Sequence, residues 1–149
     1  MKRIRSLVLI VAIFLLFSIN NSARPSENFY EEAVNFFKKK DFEKSKFLFH
    51  RHLIFNPKDD LSYLYLAKIY KEEEDNIGLE KNLNTTLLLN PQNEEALYML
   101  IELKLDKSNF SEVKKLNETF VLICSSLCDK KFAIEEKLNS LQTSDDTKK

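Results

Sequence analysis

Few residues in this chain have the type and spacing for covalent or metal chemistry. It carries two histidines, His50 and His52, and two cysteines, Cys124 and Cys128. The histidines are two apart, whereas neighbours on one face of a helix are three or four apart, so they make poor joint metal ligands. No carboxylate or thiol pattern stands beside them to complete a coordination sphere. The expectation is that His52 packs and His50 faces solvent. The cysteines are spaced C-x3-C, not the C-x-x-C of a redox site, and two thiols alone cannot close a zinc tetrahedron. No serine sits in a nucleophile elbow, and no metalloprotease pattern is present. Gly78 is the single glycine of 149 residues, which excludes phosphate-cradling loops and dinucleotide folds, because both need backbone without a Cβ close to phosphate. These features predict no enzyme, no metal and no cofactor.

Charge excludes another class. There are 23 basic and 23 acidic residues, so no net field draws the chain to nucleic acid. Three prolines and one glycine are too few for a turn-rich β sandwich or barrel.

The elements that position the remaining residues follow from patterning. Lys2, Arg3 and Arg5 open the chain, and an unbroken apolar run from Leu7 to Phe17 follows, giving way to small and polar residues up to Ala23. This is the layout of a secretory signal peptide, and the run is shorter than the ~20 residues of a bilayer-spanning helix. Residues 1–23 are read as the leader, cut after Ala23; the alternative is an uncleaved N-terminal anchor. Removal takes three basic residues and no acidic one, leaving a weakly acidic mature chain. Export implies a periplasmic or secreted protein, or alternatively one anchored in the inner membrane and facing the periplasm. In that compartment an even cysteine count favours a Cys124–Cys128 disulfide, the alternative being two free packed thiols.

Beyond the leader the sequence repeats. Asn56-Pro57 and Asn90-Pro91 stand 34 residues apart, each closing an aliphatic run. A residue before proline resists the helical conformation, so each pair marks a helix end and a corner. Between them Leu66, Ala67 and Tyr70 form one helical stripe and Leu79, Leu83 and Leu87 another. The acidic stretch Glu72-Glu73-Glu74-Asp75 between them reads as a solvated turn. Ser26, Asp41, Asp60 and Asn93 stand where helices need capping acceptors, and Asn109 with Glu112 resembles a capping box.

A 34-residue period of two helices resembles the tetratricopeptide repeat. Phe29, Ala33, Phe36, Phe42, Ser45, Phe49, Leu53 and Pro57 match a first unit. Tyr63, Leu66, Ala67, Tyr70, Leu83, Leu87 and Pro91 match a second. The third is looser: Leu97, Leu100, Phe110, Val113 and Val121 fit, but Ile101 replaces the small residue, Lys104 the aromatic and Ser125 the proline. The turn glycine is missing from every unit, with Lys40, Glu74 and Ser108 in its place. Asp129 to Leu141 follows as an amphipathic helix able to cap the stack, with Ile134, Leu138 and Leu141 on one face. The expected fold is all-α, an αα-hairpin superhelix of about seven helices over residues 24–141, with 142–149 a disordered tail.

The resemblance implies a concave groove lined by the first helix of each unit. The inward positions are Tyr30, Val34 and Phe37; Leu61, Leu64, Tyr65, Lys68 and Lys71; and Tyr98, Met99, Glu102 and Leu105. The basic clamp with which some members grip a C-terminal carboxylate is absent, since its positions hold Tyr30, Val34, Tyr65, Glu95 and Met99. The implied function is an exported scaffold or adaptor that binds a protein or peptide segment and assists envelope assembly or secretion, with no nucleic-acid or small-molecule partner. The alternatives are a self-associating structural protein that pairs through Tyr30, Val34 and Phe37, or an accessory subunit of a membrane-anchored complex, for example in cytochrome maturation.

Overall fold

The structure, a computed structural model, describes residues 25–146, with side chains for 29–140. Seven helices and no strand occur among them: α1 (Pro25–Lys38), α2 (Phe42–Phe55), α3 (Asp60–Glu72), α4 (Asn76–Leu89), α5 (Glu94–Asp106), α6 (Phe110–Ile123) and α7 (Lys130–Asp146). The leader 1–23 lies outside the described residues. The expected end at Leu141 is corrected: α7 runs to Asp146, because neither proline nor glycine follows Lys130 to stop it. Residues 147–149 lie outside the described part.

Helix starts carry side-chain acceptors. Asp41, Asp59, Asp75, Asn93 and Asn109 each accept a backbone N–H from the first turn of the helix that follows. Two expected caps shift. Asp59 replaces Asp60, which is the first residue of α3, and Ser26 lies within α1, whose first position is Pro25, a residue that has no N–H to satisfy. Within each hairpin the turn is built the same way. Lys40, Glu74 and Ser108 adopt φ of 59°, 58° and 56°. The next amide then donates back to the helix, from Asp41 to Phe36, Asp75 to Tyr70 and Asn109 to Lys104, at 3.0, 2.9 and 2.9 Å. This closes the left-handed helix end that glycine normally occupies.

The hairpins α1–α2, α3–α4 and α5–α6 stack in chain order, and α7 covers the last against α5 and α6. Three clusters form the core in series. Ala33, Phe49, Leu66 and Ile69 join the first two hairpins. Ala67, Leu79, Leu83, Ala96 and Leu100 join the second and third. Leu97, Ile101, Val113, Phe120, Ile134 and Leu138 join the third to α7. Gly78 faces Tyr70 so closely that a Cβ would lie 2.6 Å from the ring, so glycine here is a packing requirement. The third unit departs from expectation: Val121 is exposed and Phe120 is fully buried in its place. Lys104, standing where Phe36 and Tyr70 stand in the earlier units, is buried between Glu80 at 2.6 Å and Glu112 at 2.9 Å. Burial pulls its pKa down, but the hydrogen bonds it donates to both carboxylates outweigh that, and the net shift is upward.

The three left-handed residues set up a test. A non-glycine residue in this conformation costs roughly 1–2 kcal/mol, part of which glycine returns through its freer unfolded chain. Lys40→Gly, Glu74→Gly and Ser108→Gly should each raise stability by about 0.5–1 kcal/mol in urea unfolding. A loss at all three would show that the turns are not strained.

Candidate functional site

Helices α1, α3 and α5 present one face, and aromatic rings line it. Tyr65 is the hub. It stacks on Phe49 with ring centres 5.1 Å apart and receives Phe37 edge-on at 5.1 Å and Tyr30 edge-on at 6.2 Å. Such edge-to-face geometry suits aromatic quadrupoles. Tyr98 continues the line on α5 and rests on Phe120 at 6.0 Å. Burial raises the hydroxyl pKa of both Tyr30 and Tyr98 to about 12, helped at Tyr30 by Tyr65, Asp59 and Asp60 and at Tyr98 by its hydrogen bond with Glu102. Both are therefore neutral hydroxyls at any physiological pH.

Two ion pairs cross the face between α3 and α5, Lys68 to Glu95 at 2.8 Å and Lys71 to Glu102 at 3.1 Å. Lys68 also lies 5.1 Å over the Tyr65 ring. Together with Phe37, Tyr98 and Met99 they border a cleft of about 400 Å³. A smaller one of about 270 Å³ lies at Tyr30, Glu31, His52, Asp59 and Leu61. The arrangement offers aromatic surface with paired charge at its rim, which suits an extended or helical segment.

Of the expected groove residues, Tyr30, Val34, Phe37, Tyr65, Lys68, Tyr98 and Glu102 are half-buried, and Leu61 and Lys71 are exposed. Three require correction. Leu64 is buried against Ala67, Leu79 and Ala96; Leu105 is buried with Leu97 and Ile101; and Met99 is buried with only its edge on the cleft. The groove stripe on α3 is Leu61, Tyr65 and Lys68, and a one-residue step turns Leu64 toward the next hairpin. Glu95, although at a clamp position, was not among the expected groove residues. Its signal was a Lys/Glu separation of 27 that recurs between hairpins, at 46 with 73, 68 with 95 and 80 with 107.

The histidines part company as expected. His52 is buried with Nε2 3.4 Å from Asp59, and His50 is on the opposite, exposed side, its pKa lowered by partial desolvation against its neighbours and by Lys46 and Lys81. The two cysteine sulfurs are paired in the structure, with Cα atoms 5.1 Å apart across the corner that joins α6 to α7. Ser125 stands there in place of proline, and Glu94 organises the corner. Its carboxylate accepts the backbone N–H groups of Ser125 at 2.6 Å, Ser126 at 3.1 Å and Leu127 at 3.3 Å, and the Ser126 hydroxyl. These hydrogen bonds pull the Glu94 pKa down from 4.5 to about 2, the Ser126 hydroxyl contributing most.

A carboxylate with a depressed pKa stabilises the fold above its unfolded pKa and stops doing so as pH falls through its folded one. The difference in melting temperature between the native chain and Glu94→Gln should therefore be full above about pH 5.5 and close as pH falls from 4.5 toward 2. A pH-independent difference over that window would mean that the carboxylate charge does not hold the corner.

No protein-family model matches the sequence, and none of the curated proteins does. Solved structures do match. The first TPR of Spaghetti (RPAP3) bound to the HSP90 peptide SRMEEVD is 14% identical with a TM-score of 0.69, over 83% of this chain and 98% of that one. The TPR domain of Sgt2 from Aspergillus fumigatus is 13% identical with a TM-score of 0.67, over 83% of each. A CopN–Scc3 complex is matched at 21% identity and a TM-score of 0.64, over 83% of this chain and 72% of that one. Three stacked helical hairpins closed by a seventh helix, superimposing on solved TPR domains, give this chain the tetratricopeptide-repeat fold.

Proposed function

We propose that this chain is an exported scaffold or adaptor, not an enzyme, that holds a protein segment in its concave face during an envelope assembly or secretion process. The observation that carries this is the aromatic line Tyr30, Phe37, Tyr65 and Tyr98, half-open along one face and fenced by the Lys68–Glu95 and Lys71–Glu102 pairs. Large rings already fixed by their neighbours give contact area at low ordering cost. Peptide binding on the same fold supports the reading, since the RPAP3 domain is bound to SRMEEVD. The ligand chemistry differs. Glu95 and the rings at the clamp positions favour a hydrophobic or mixed segment over a terminal carboxylate. Self-association through Tyr30, Val34 and Phe37 is the weaker reading, because Tyr65, Phe49 and Phe42 already cover part of that stripe.

The groove is tested with segments captured by the purified protein from envelope extract and remade as synthetic peptides. Tyr98→Ala, and separately Lys68→Ala with Glu95→Ala, should weaken their binding about tenfold or more while the far-UV circular dichroism stays unchanged. SRMEEVD should not bind. Unchanged affinity in both variants, or tight binding of SRMEEVD, would overturn the reading.

Export rests on the leader pattern of residues 1–23 and fits a paired Cys124 and Cys128 in an oxidising compartment. The site is the periplasm or beyond, with an inner-membrane anchor as the alternative if residues 1–23 are retained. Intact mass of the protein recovered from cells should begin at Arg24 and rise by two hydrogens on reduction. A chain that retains Met1 selects the anchor, and no mass gain on reduction means free thiols.

A further inference from the structure

Resting on the groove reading above, we propose that the segment held there is basic, carrying arginine or lysine side chains between apolar ones. The first helices and their partners differ in charge. α1, α3 and α5 contain nine carboxylates and four lysines, whereas α2, α4 and α6 contain four carboxylates and six lysines or arginines. The acidic excess persists where a ligand would lie. The cleft at Tyr30 and Leu61 holds Glu31 and Asp59, with His52 and neither lysine nor arginine. The cleft between Phe37 and Tyr98 holds Glu72, Glu95 and Glu102 against Lys68 and Lys71. A further cleft of about 400 Å³ runs on toward the hairpin turns and adds Glu74 and Asp106 against Lys137. Lys38, at the repeat position of Glu72 and Asp106, supplies one more base. Seven carboxylates thus face four lysines along the groove.

Pairing within the protein occupies lysines and leaves acids over. Lys68 is held by Glu95, Lys71 by Glu102 and Lys137 by Asp106, the last at 3.9 Å. Glu31 and Glu72 are exposed and form no ion pair among the described residues. Each shares its cleft with an aromatic ring, Glu31 with Tyr30 and Glu72 with Phe37. Both rings stand edge-on to Tyr65, so two sites of one composition flank the hub.

Lys68 shows what such a site holds. Its ammonium lies 2.8 Å from Glu95 and 5.1 Å over the Tyr65 ring, joined to carboxylate and ring at once. A ligand's guanidinium or ammonium at Glu31 and at Glu72 repeats that arrangement from outside the chain, with apolar residues on Tyr65 between them. Burial raises the Tyr30 hydroxyl most, and Tyr65, Asp59 and Asp60 add to it, so the negative field reaches this ring. An acidic side chain meets repulsion at both sites, which extends the exclusion of a terminal carboxylate to acidic segments in general.

The test uses labelled, capped twelve-residue peptides of leucine and serine in three sets. Two positions, at every spacing, carry arginine in the first set, glutamine in the second and glutamate in the third. Binding to the purified protein is read by fluorescence anisotropy in about 0.15 M salt, which screens charges beyond about 8 Å. The best arginine peptide should bind about tenfold tighter than its glutamine counterpart, and the glutamate one no tighter than glutamine. Glu31→Gln with Glu72→Gln should weaken the arginine peptide about tenfold. Glu43→Gln with Glu118→Gln removes the same charge from exposed positions on α2 and α6 and should change affinity less than about twofold. Arginine peptides that bind no tighter than glutamine ones, or equal losses in the two double variants, overturn the proposal. A captured segment that loses binding on Tyr98→Ala yet carries no basic residue keeps the groove and overturns the charge assigned to its ligand.

Discussion

A hairpin of two short helices has more apolar surface than it can fold onto itself. The next hairpin must cover the remainder, and that constraint shapes the whole molecule. Ala33 and Ala67, both fully buried, let neighbouring helices approach within reach of Phe49, Leu66 and Leu83. Each core cluster therefore joins adjacent hairpins only, and stability is propagated along the chain rather than concentrated in one centre. The last hairpin has no successor. There α7 supplies Ile134 and Leu138 to the cluster around Phe120, with exposed Glu135, Glu136 and Lys137 on its other side.

Four-residue corners at 56–59 and 90–93 fix the order of the hairpins, and charge across their interfaces agrees with it. Lys46 meets Glu73 at 2.7 Å between the first and second hairpins. One repeat later the same two positions hold Glu80 and Lys107, 2.6 Å apart, with the signs exchanged. Seating the first hairpin directly on the third would set Lys46 against Lys107, which penalises the wrong register. Lys104 joins this system where the repeat pattern asks for a ring. It replaces aromatic area with two carboxylate contacts, one to the preceding hairpin and one within its own.

Most of the fold was legible because its signals are local and periodic. Asn56-Pro57 and Asn90-Pro91 give the corners, Ala33 and Ala67 the close approaches, and Asp41, Asn93 and Asn109 the helix starts. Legibility faded where one residue decides a direction. Asp59 and Asp60 are both good capping residues, and only the path of the corner selects the first. Phe120 and Val121 are both apolar, and the way α6 rotates to meet α7 decides which is buried. The groove suffered the same limit. Leu61, Tyr65 and Lys68 follow the open face, whereas Leu64 and Leu105 carry the same chemistry one step around the helix and belong to the core. Glu94 was invisible for another reason: its role depends on amides 31 to 33 residues later, which no pattern within one unit reveals.

The repeat also explains why two surfaces of different chemistry coexist. A position 34 residues on is displaced by one hairpin, so any residue type retained at one position becomes a row across the stack. On the first helices no single position stays aromatic; Tyr30, Phe37, Tyr65 and Tyr98 come from three repeat positions that share one face, and their rings lean on neighbouring side chains that hold them still. On the last turns of the second helices the retained type is aliphatic, in Ile54, Leu88 and Leu122, and nothing within the described fold covers it. Core packing makes use of the rings but asks nothing of the aliphatic row. The groove runs along the first helices and the row along their partners' ends, so a segment in one leaves the other free.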